Sequence, residues 1–493
     1  MTEPSFVSSV ANRLLAYLAM TGDRQAPIVA FASPDQLRTA FAQAGVPLEV
    51  VPEQPAADLG ALLTAIDRTL DFSVRTGHPR FFNQNFAGAD PVAVAGDWLG
   101  AAVHTSAATY EMAPVFTLME RALISRLAQL SGLTGAEGIF CPGGSLSNLH
   151  ALLLARDRAC PEATQEGIRG PKLVAFTSSH AHYSFEKAMG VAGLGRANLV
   201  KVACDEHGRM HIPALRAAIA RVLADGGQPF FVNATVGTTV VGAIDPLPEI
   251  AELAREHNLW LHIDGCHGAS LLFSAQHRHL VRGIEQADSL SWNLHKMMGL
   301  TQQCAALLVR EQGALARSFE AGAAYLFQRQ KNHRDHDLGD LSFTCARRVD
   351  SFKLWLTWKA HGDAGFAARI DRIMRLADTL EEKIKADSRF YLAFPRSCTN
   401  VCFWWVPPQL RPLTQHPKTL DVATREALSG YAPRIKDRLQ REGSLMLGFQ
   451  ALDNLPHFFR LLVLNPVVTP ADLDDALELI DRHGLACTAE TPT

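Results

Sequence analysis

From about residue 120 to 310 the chain alternates helix-period stretches with short apolar runs, and that alternation restricts the segment to a mainly parallel sheet covered by helices, an α/β architecture. Buried strands are expected at 172–177, 229–234, 259–264, 289–292 and 304–309, with helices at 213–223 and 246–257 between them. In open sheets of this kind a ligand sits beyond the carboxyl ends of the strands. Asp264 closes the run Leu259-Trp260-Leu261-His262-Ile263-Asp264, and Lys296 lies thirty-two positions later in Ser291-Trp292-Asn293-Leu294-His295-Lys296-Met297-Met298-Gly299, so both fall at such ends.

The flanks of this core are less regular. At 493 residues the chain exceeds one ordinary core, and two or three domains are expected. Residues 1–75 carry amphipathic helical stretches such as 61–70, broken by prolines, and are expected to form an arm or dimerisation segment. The large domain then covers 76–348, and 349–493 forms a small C-terminal α+β domain entered by an apolar helix at 349–361, with strands at 401–406 and 459–464. The segment 328–342 is polar and without period, and reads equally as a surface loop or as a mobile loop near an active site.

A hydrophobic fraction of 47%, a charged fraction of 20% and a formal net charge of -3 exclude the profile of a nucleic-acid or anionic-membrane binder. The nine cysteines (141, 160, 204, 266, 304, 345, 398, 402, 487) show neither metal spacing nor a disulfide framework, so no metal is expected and a reducing compartment is. With no leader and no apolar run of membrane length, a cytoplasmic protein is the expectation.

An amine and a carboxylate presented by neighbouring strands are what pyridoxal 5'-phosphate requires: the amine forms a Schiff base, and the carboxylate keeps the pyridine nitrogen protonated. Alone, an aspartate at a strand end is more often a turn or cap residue, and most lysines are simply solvated. Three further elements add weight. Gly143-Gly144-Ser145-Leu146-Ser147 directly precedes a helix at 149–156, and a helix N-terminus with small residues can bind phosphate. His182, with His180 as a competitor, follows the strand ending near Thr177, where an imidazole can stack on a pyridine ring. Thr235, Thr238 and Thr239 close another strand with hydroxyls suited to the ring oxygen or the phosphate.

The chain resembles the group II pyridoxal-phosphate-dependent amino-acid decarboxylases, from about Gly77 to Pro466. The resemblance is carried by Gly77-His78-Pro79-Arg80-Phe81-Phe82-Asn83-Gln84, Tyr110-Glu111-Met112-Ala113-Pro114-Val115, the Gly143-Gly144-Ser145 turn, His182-Tyr183-Ser184, Gly237-Thr238-Thr239, Asn293 to Gly299, and Arg347-Arg348-Val349-Asp350. It implies the fold type I (aspartate aminotransferase-like) architecture of PLP-dependent transferases, with a mainly parallel seven-stranded sheet, and a homodimer with shared active sites. By position, Lys296 would carry the cofactor and Asp264 would pair with its ring nitrogen. Gly144, Ser145, Leu146, Ser147 and Asn293 would hold the phosphate, with His295 beside it, while His182 would stack on the ring, Thr239 would contact it and Cys266 would lie beneath it. Arg460 would bind the substrate carboxylate.

Within that family the nearest likeness is to the cysteine sulfinate and glutamate decarboxylases. Gln84 and Phe86 fall in the substrate stretch, and the bulky Phe86 resembles the cysteine sulfinate type, implying alpha-decarboxylation of a short acidic amino acid such as cysteine sulfinate, cysteate, aspartate or glutamate. There are departures. Gly265-Cys266-His267 replaces the family's usual Ala-Ala-aromatic, Asn85 replaces an apolar residue, and the loop lacks the family's proton-donating tyrosine, leaving His333 and His336 as candidate donors. The alternatives are a basic or aromatic substrate such as 2,4-diaminobutyrate, another pyridoxal reaction such as transamination, or a catalytically silent binding protein.

Overall fold

The computed structural model describes residues 3–50, 58–323 and 330–489. Gln328 and Arg329, the first two residues of the expected polar loop, lie outside them. The chain divides into two compact units, one made of residues 89–375 and 394–400, the other of 1–88, 376–393 and 401–493.

The first unit holds a seven-stranded sheet. Its strands are β2 (Glu137–Cys141), β3 (Leu173–Ser178), β4 (Leu199–Val202), β5 (Gln228–Thr235), β6 (Trp260–Asp264), β7 (Ser289–Asn293) and β8 (Ala305–Val309), following the short β1 (Phe81–Phe82) of the other unit. They lie in the order β2-β8-β7-β6-β5-β3-β4. Pairing from β7 through β6, β5 and β3 to β4 is parallel, while β8 runs antiparallel to both β7 and β2. The expected mainly parallel seven-stranded sheet is what forms. Its central strands β3, β6, β7 and β8 are buried along their whole length, which is why they read as unbroken apolar runs rather than alternating ones. The edge strands β2 and β4 were absent from the expected set. Each is short, with residues only half-buried, so neither leaves a strong apolar run.

The helices α1 (Glu3–Met20), α2 (Pro34–Gln43) and α3 (Leu59–Phe72) belong to the second unit, and α4 (Pro91–Val103), α5 (Pro114–Leu130) and α6 (Gly144–Ala159) to the first. The second unit also contains the five-stranded sheet β1-β11-β12-β10-β9, built with β9 (Phe390–Leu392), β10 (Asn400–Trp405), β11 (Met446–Gln450) and β12 (Phe458–Leu462).

This division differs from the expected 1–75, 76–348 and 349–493. The N-terminal segment is part of the C-terminal unit because its groups pair there. β1 runs parallel to β11, Ile28 N–H donates to Gly443 O at 2.8 Å, and Arg24 grips Asp472 through two nitrogens at 2.7 and 2.8 Å. The helix expected at 349–361 ends in a break at Gly362 (φ 62°, ψ -175°) and resumes to Ala386.

Candidate active site

The parallel strands end at one edge of the sheet, and the residues singled out in the sequence gather there. Asp264, at the end of β6, is flanked in register by Thr235 of β5 and Ser291 of β7. Cys141 at the end of β2 and Asn293 at the end of β7 both pair with Ala305 of β8, which sets the Gly143-Gly144 turn beside the segment leading to Lys296. Lys296 follows on a turn in which its N–H donates to Asn293 O at 3.3 Å and its carbonyl accepts from Gly299 N at 3.1 Å.

Asp264 is buried, with Oδ1 accepting the Cys266 N–H at 3.1 Å and Oδ2 accepting from Asn148 Nδ2 at 3.0 Å. Burial opposes its ionisation, but the charge of Lys296 and the imidazoles of His182 and His262 outweigh it and hold the carboxyl below the usual range. An anionic group able to stabilise a positive ring nitrogen is therefore built into the strand end. Burial pushes His182 below its ordinary value, with Lys296 and Lys187 lowering it further and Asp264 opposing; Nδ1 accepts the Ser184 N–H at 3.2 Å, leaving a neutral ring protonated at Nε2.

The turn before α6 is shaped for a close ligand. Gly143 has φ +92°, open to glycine without strain, and a Cβ on Gly144 would collide with Cys266 Sγ and stand 3.0 Å from the Asn293 amide. The Leu146 and Ser147 N–H groups donate back to Gly143 O at 3.1 and 3.3 Å, while those of Gly144 and Ser145 open the helix ahead of any intrahelical acceptor; Gly143 gives no side-chain cap, and Ser145 is exposed while Ser147 is fully buried. Two buried polar atoms near these strand ends, Asn293 Oδ1 and Ser178 Oγ, have no hydrogen-bond partner among the described residues. A phosphate-bearing pyridine fits this set: uncapped helix amides and hydroxyls for the phosphate, a low-pKa carboxylate for the ring nitrogen, an amine for the aldehyde.

His295 is buried, its Nδ1 2.8 Å from Cys304 O, and burial lowers its pKa to about 4. Thr239 lies on a turn pinned by Asn400, whose Nδ2 donates to Thr239 O at 3.2 Å and Val240 O at 2.9 Å. Cys266 is buried, and desolvation followed by the Asp264 charge raises its thiol well above the ordinary value, so it is an apolar filler rather than a nucleophile. His267 packs beneath Gly237 and reaches Thr399 Oγ1 at 3.0 Å.

His333 and His336 gather about Tyr110, with ring centroids 5.2 and 5.4 Å from it, and Tyr110 N–H donates to Asp337 Oδ1 at 2.7 Å. Gln84, Phe86 and Arg460 belong to the second unit. There Gln84 is exposed, Phe86 packs 6.2 Å from Phe81, and buried Arg460 donates to Asn83 O at 3.1 Å. Sequence reasoning missed Asn148, His262, Ser289 and the buried Arg347–Glu120 pair, which holds Phe140 at the end of β2 through both its N–H and its carbonyl. For His262 a signal existed, since it stands two positions from Asp264 on one strand and so shares its face.

Among the described residues no helix is long and apolar enough to cross a membrane, and no group of three or more His, Cys, Asp or Glu is arranged to hold a metal ion. Residues 44–406 match the model of the pyridoxal-dependent decarboxylase conserved domain. The chain belongs to this family. The decarboxylase is similar over 98% of its length, and 98% of the other chain, to mouse CSAD, a cysteine sulfinic acid decarboxylase, at 38% identity and a TM-score of 0.92. At 24% identity it shares the fold of the Oryza sativa TDC solved with PLP and tryptamine (TM-score 0.86, 98% of each chain). The same holds for the glutamate decarboxylase domain of diaminobutyrate-pyruvate transaminase and L-2,4-diaminobutyrate decarboxylase from Vibrio parahaemolyticus (24% identity, TM-score 0.82, 98% of this chain and 95% of that one). It is a pyridoxal-phosphate-dependent amino-acid decarboxylase of fold type I.

Proposed function

We propose that this decarboxylase removes the alpha-carboxylate of a short acidic L-amino acid, cysteine sulfinate, cysteate, aspartate or glutamate, releasing CO2 and the amine. The observation that carries the acidic reading is the 38% identity to mouse CSAD across 98% of both chains. The second unit agrees with it. Arg460 and Lys436 both reach Asn83, at 3.1 and 3.4 Å, and after burial each other's proximity depresses the Lys436 pKa, so an anionic group is favoured beside them. Arg460 is assigned to the substrate carboxylate, and Phe86 with Gln84 to the side-chain end.

Bound pyridoxal phosphate supplies an electron sink for the pair left behind as CO2 departs. The protein's part is to hold and to move protons. Lys296 provides the amine that carries the cofactor, and ionised Asp264 favours a proton on the ring nitrogen. Gly144, Ser145, Leu146, Ser147 and Asn293, with His295 nearby, would hold the phosphate; His182 would cover one ring face, and Thr239 and Cys266 would complete the contacts. His333 or His336 donates the proton that replaces CO2 at the alpha-carbon. None of the nine cysteines is in a disulfide, which supports a cytoplasmic setting, and the reading includes a homodimer.

A CO2-release screen across the amino acids, with cysteine sulfinate and cysteate added, tests the assignment. Fastest release from a short acidic substrate is expected, and a best substrate that is basic or aromatic rejects the acidic reading. In the same assay the His333→Phe/His336→Phe double variant is expected to lose ~10²-fold or more in amine formation. Unchanged amine with no aldehyde by-product removes both histidines from the proton step.

A further inference from the structure

Asp264 is held from behind by a file of buried hydrogen bonds. His262 and Asp264 share one face of β6, and Asn148 of α6 reaches both. Its Nδ2 donates to Asp264 Oδ2 at 3.0 Å and to Ser184 Oγ at 3.1 Å, while its Oδ1 lies 3.1 Å from His262 Nε2. With both amide hydrogens engaged, Oδ1 must accept, so His262 carries its proton on Nε2. His262 Nδ1 is then an acceptor, 2.8 Å from Ser289 Oγ, and Ser289 in turn accepts the Trp260 Nε1–H at 2.7 Å. Ser291 Oγ also lies 3.3 Å from His262 Nε2. Complete burial depresses His262 to about 4, so the ring stays neutral and this donor order persists near neutrality.

We propose that Asn148 is a positioning residue: its amide, locked in one orientation by the neutral Nε2–H form of His262, fixes the rotation of the Asp264 carboxylate toward the cofactor's ring nitrogen. Asp264 Oδ1 is held by the Cys266 N–H and Oδ2 by Asn148, so neither oxygen is free to turn, and each retains acceptor capacity. Asn148 stands four residues along α6 from Gly144, a rise of about 6 Å on a rigid helix. One helix therefore sets both the phosphate cradle and the anchor for the ring nitrogen. The inference rests on the proposed pairing of Asp264 with that nitrogen.

The test is binding of two ligands to the cofactor-free protein, followed by intrinsic fluorescence: pyridoxal phosphate, and its 1-deaza analogue in which C–H replaces the ring nitrogen. Losing a hydrogen bond to a charged group corresponds to roughly 10- to 100-fold. Asn148→Leu is expected to weaken pyridoxal phosphate by that factor while changing the analogue less than about 3-fold. Equal weakening of both ligands, or none for pyridoxal phosphate, overturns the proposal. His262→Phe is expected to act in the same direction and to add little in the Asn148→Leu background, because it works through Asn148; full additivity overturns the role given to His262. If Asn148→Leu does not fold, Asn148→Asp keeps the shape and removes the donor, and the same selective loss is required of it. Equal affinities of the unaltered protein for both ligands would instead show that Asp264 does not read the ring nitrogen, and would remove the proposal with its premise.

Discussion

Three histidines of the unit that carries the site, His150, His262 and His295, are buried and neutral, each lowered to about 4 by desolvation. Unfolded histidine titrates near 6.5. A group whose folded pKa lies below its unfolded one lends its full stability above pH 6.5 and loses it as pH falls toward 4, because only the unfolded chain takes up the proton in that window. Asp245 runs the other way: burial raises it to about 6, so it favours the folded state at low pH and loses that contribution between about 3.8 and 6. His78 of the second unit, also lowered to about 4, acts with these three, and Asp288 and Asp340, both raised by burial, act with Asp245; the four histidines give a net fall in stability on acidification. Urea midpoints should therefore drop steadily from pH 7 to pH 5, and His150→Gln should flatten the slope, by on the order of 3 kcal/mol at most across the full window. A midpoint that rises on acidification contradicts the assignment. None of this was readable in the sequence, where a histidine's burial is not written.

At the scale of elements, the turn into α6 is the most demanding piece of local structure. Two glycines are needed for different reasons: Gly143 for its positive φ, Gly144 because Cys266 Sγ and the Asn293 amide occupy the space of a Cβ. Overpacking a tight interior costs typically 1–3 kcal/mol. Gly144→Ala should lower the thermal midpoint of the cofactor-free protein accordingly, and adding Cys266→Ala should recover part of it by removing the sulfur. No recovery in the double variant shows that the clash lies with Asn293 instead. Here the departure at Cys266, read in the sequence only as a thiol beneath the ring, acquires a second meaning as the neighbour that limits the cradle. The strands that deliver Asp264 and Lys296 were legible because buried parallel strands are continuous apolar runs. The edge strands β2 and β4 were not, since each includes residues that are not fully buried, among them Glu137 and Gly138 in β2 and Lys201 in β4, and so breaks the apolar run.

For the whole molecule, the surface of the sheet-bearing unit is informative. Trp98, Leu99 and Val103 are exposed at the end of α4, and Met112, Val115 and Leu118 about the start of α5. Exposed apolar side chains of this size mark a partner surface where they adjoin, and with the family reading a second copy of the chain is the expected partner. Sedimentation should give twice the 53.7 kDa chain mass, and Leu99→Glu/Val115→Glu should shift it toward the single chain. A native protein that sediments as one chain rejects the dimer. The sequence by itself determined the sheet class and the places of Asp264 at a strand end and Lys296 just beyond one, because strand periodicity and the position of a residue at a strand end are local properties. Only the tertiary structure decided that residues 1–88 complete the C-terminal unit, that His333 and His336 stand around Tyr110, and that Asn148 and His262 back Asp264. These depend on register and packing between segments far apart in the chain, where the decisive quantities are a few ångströms of distance and the exclusion of water.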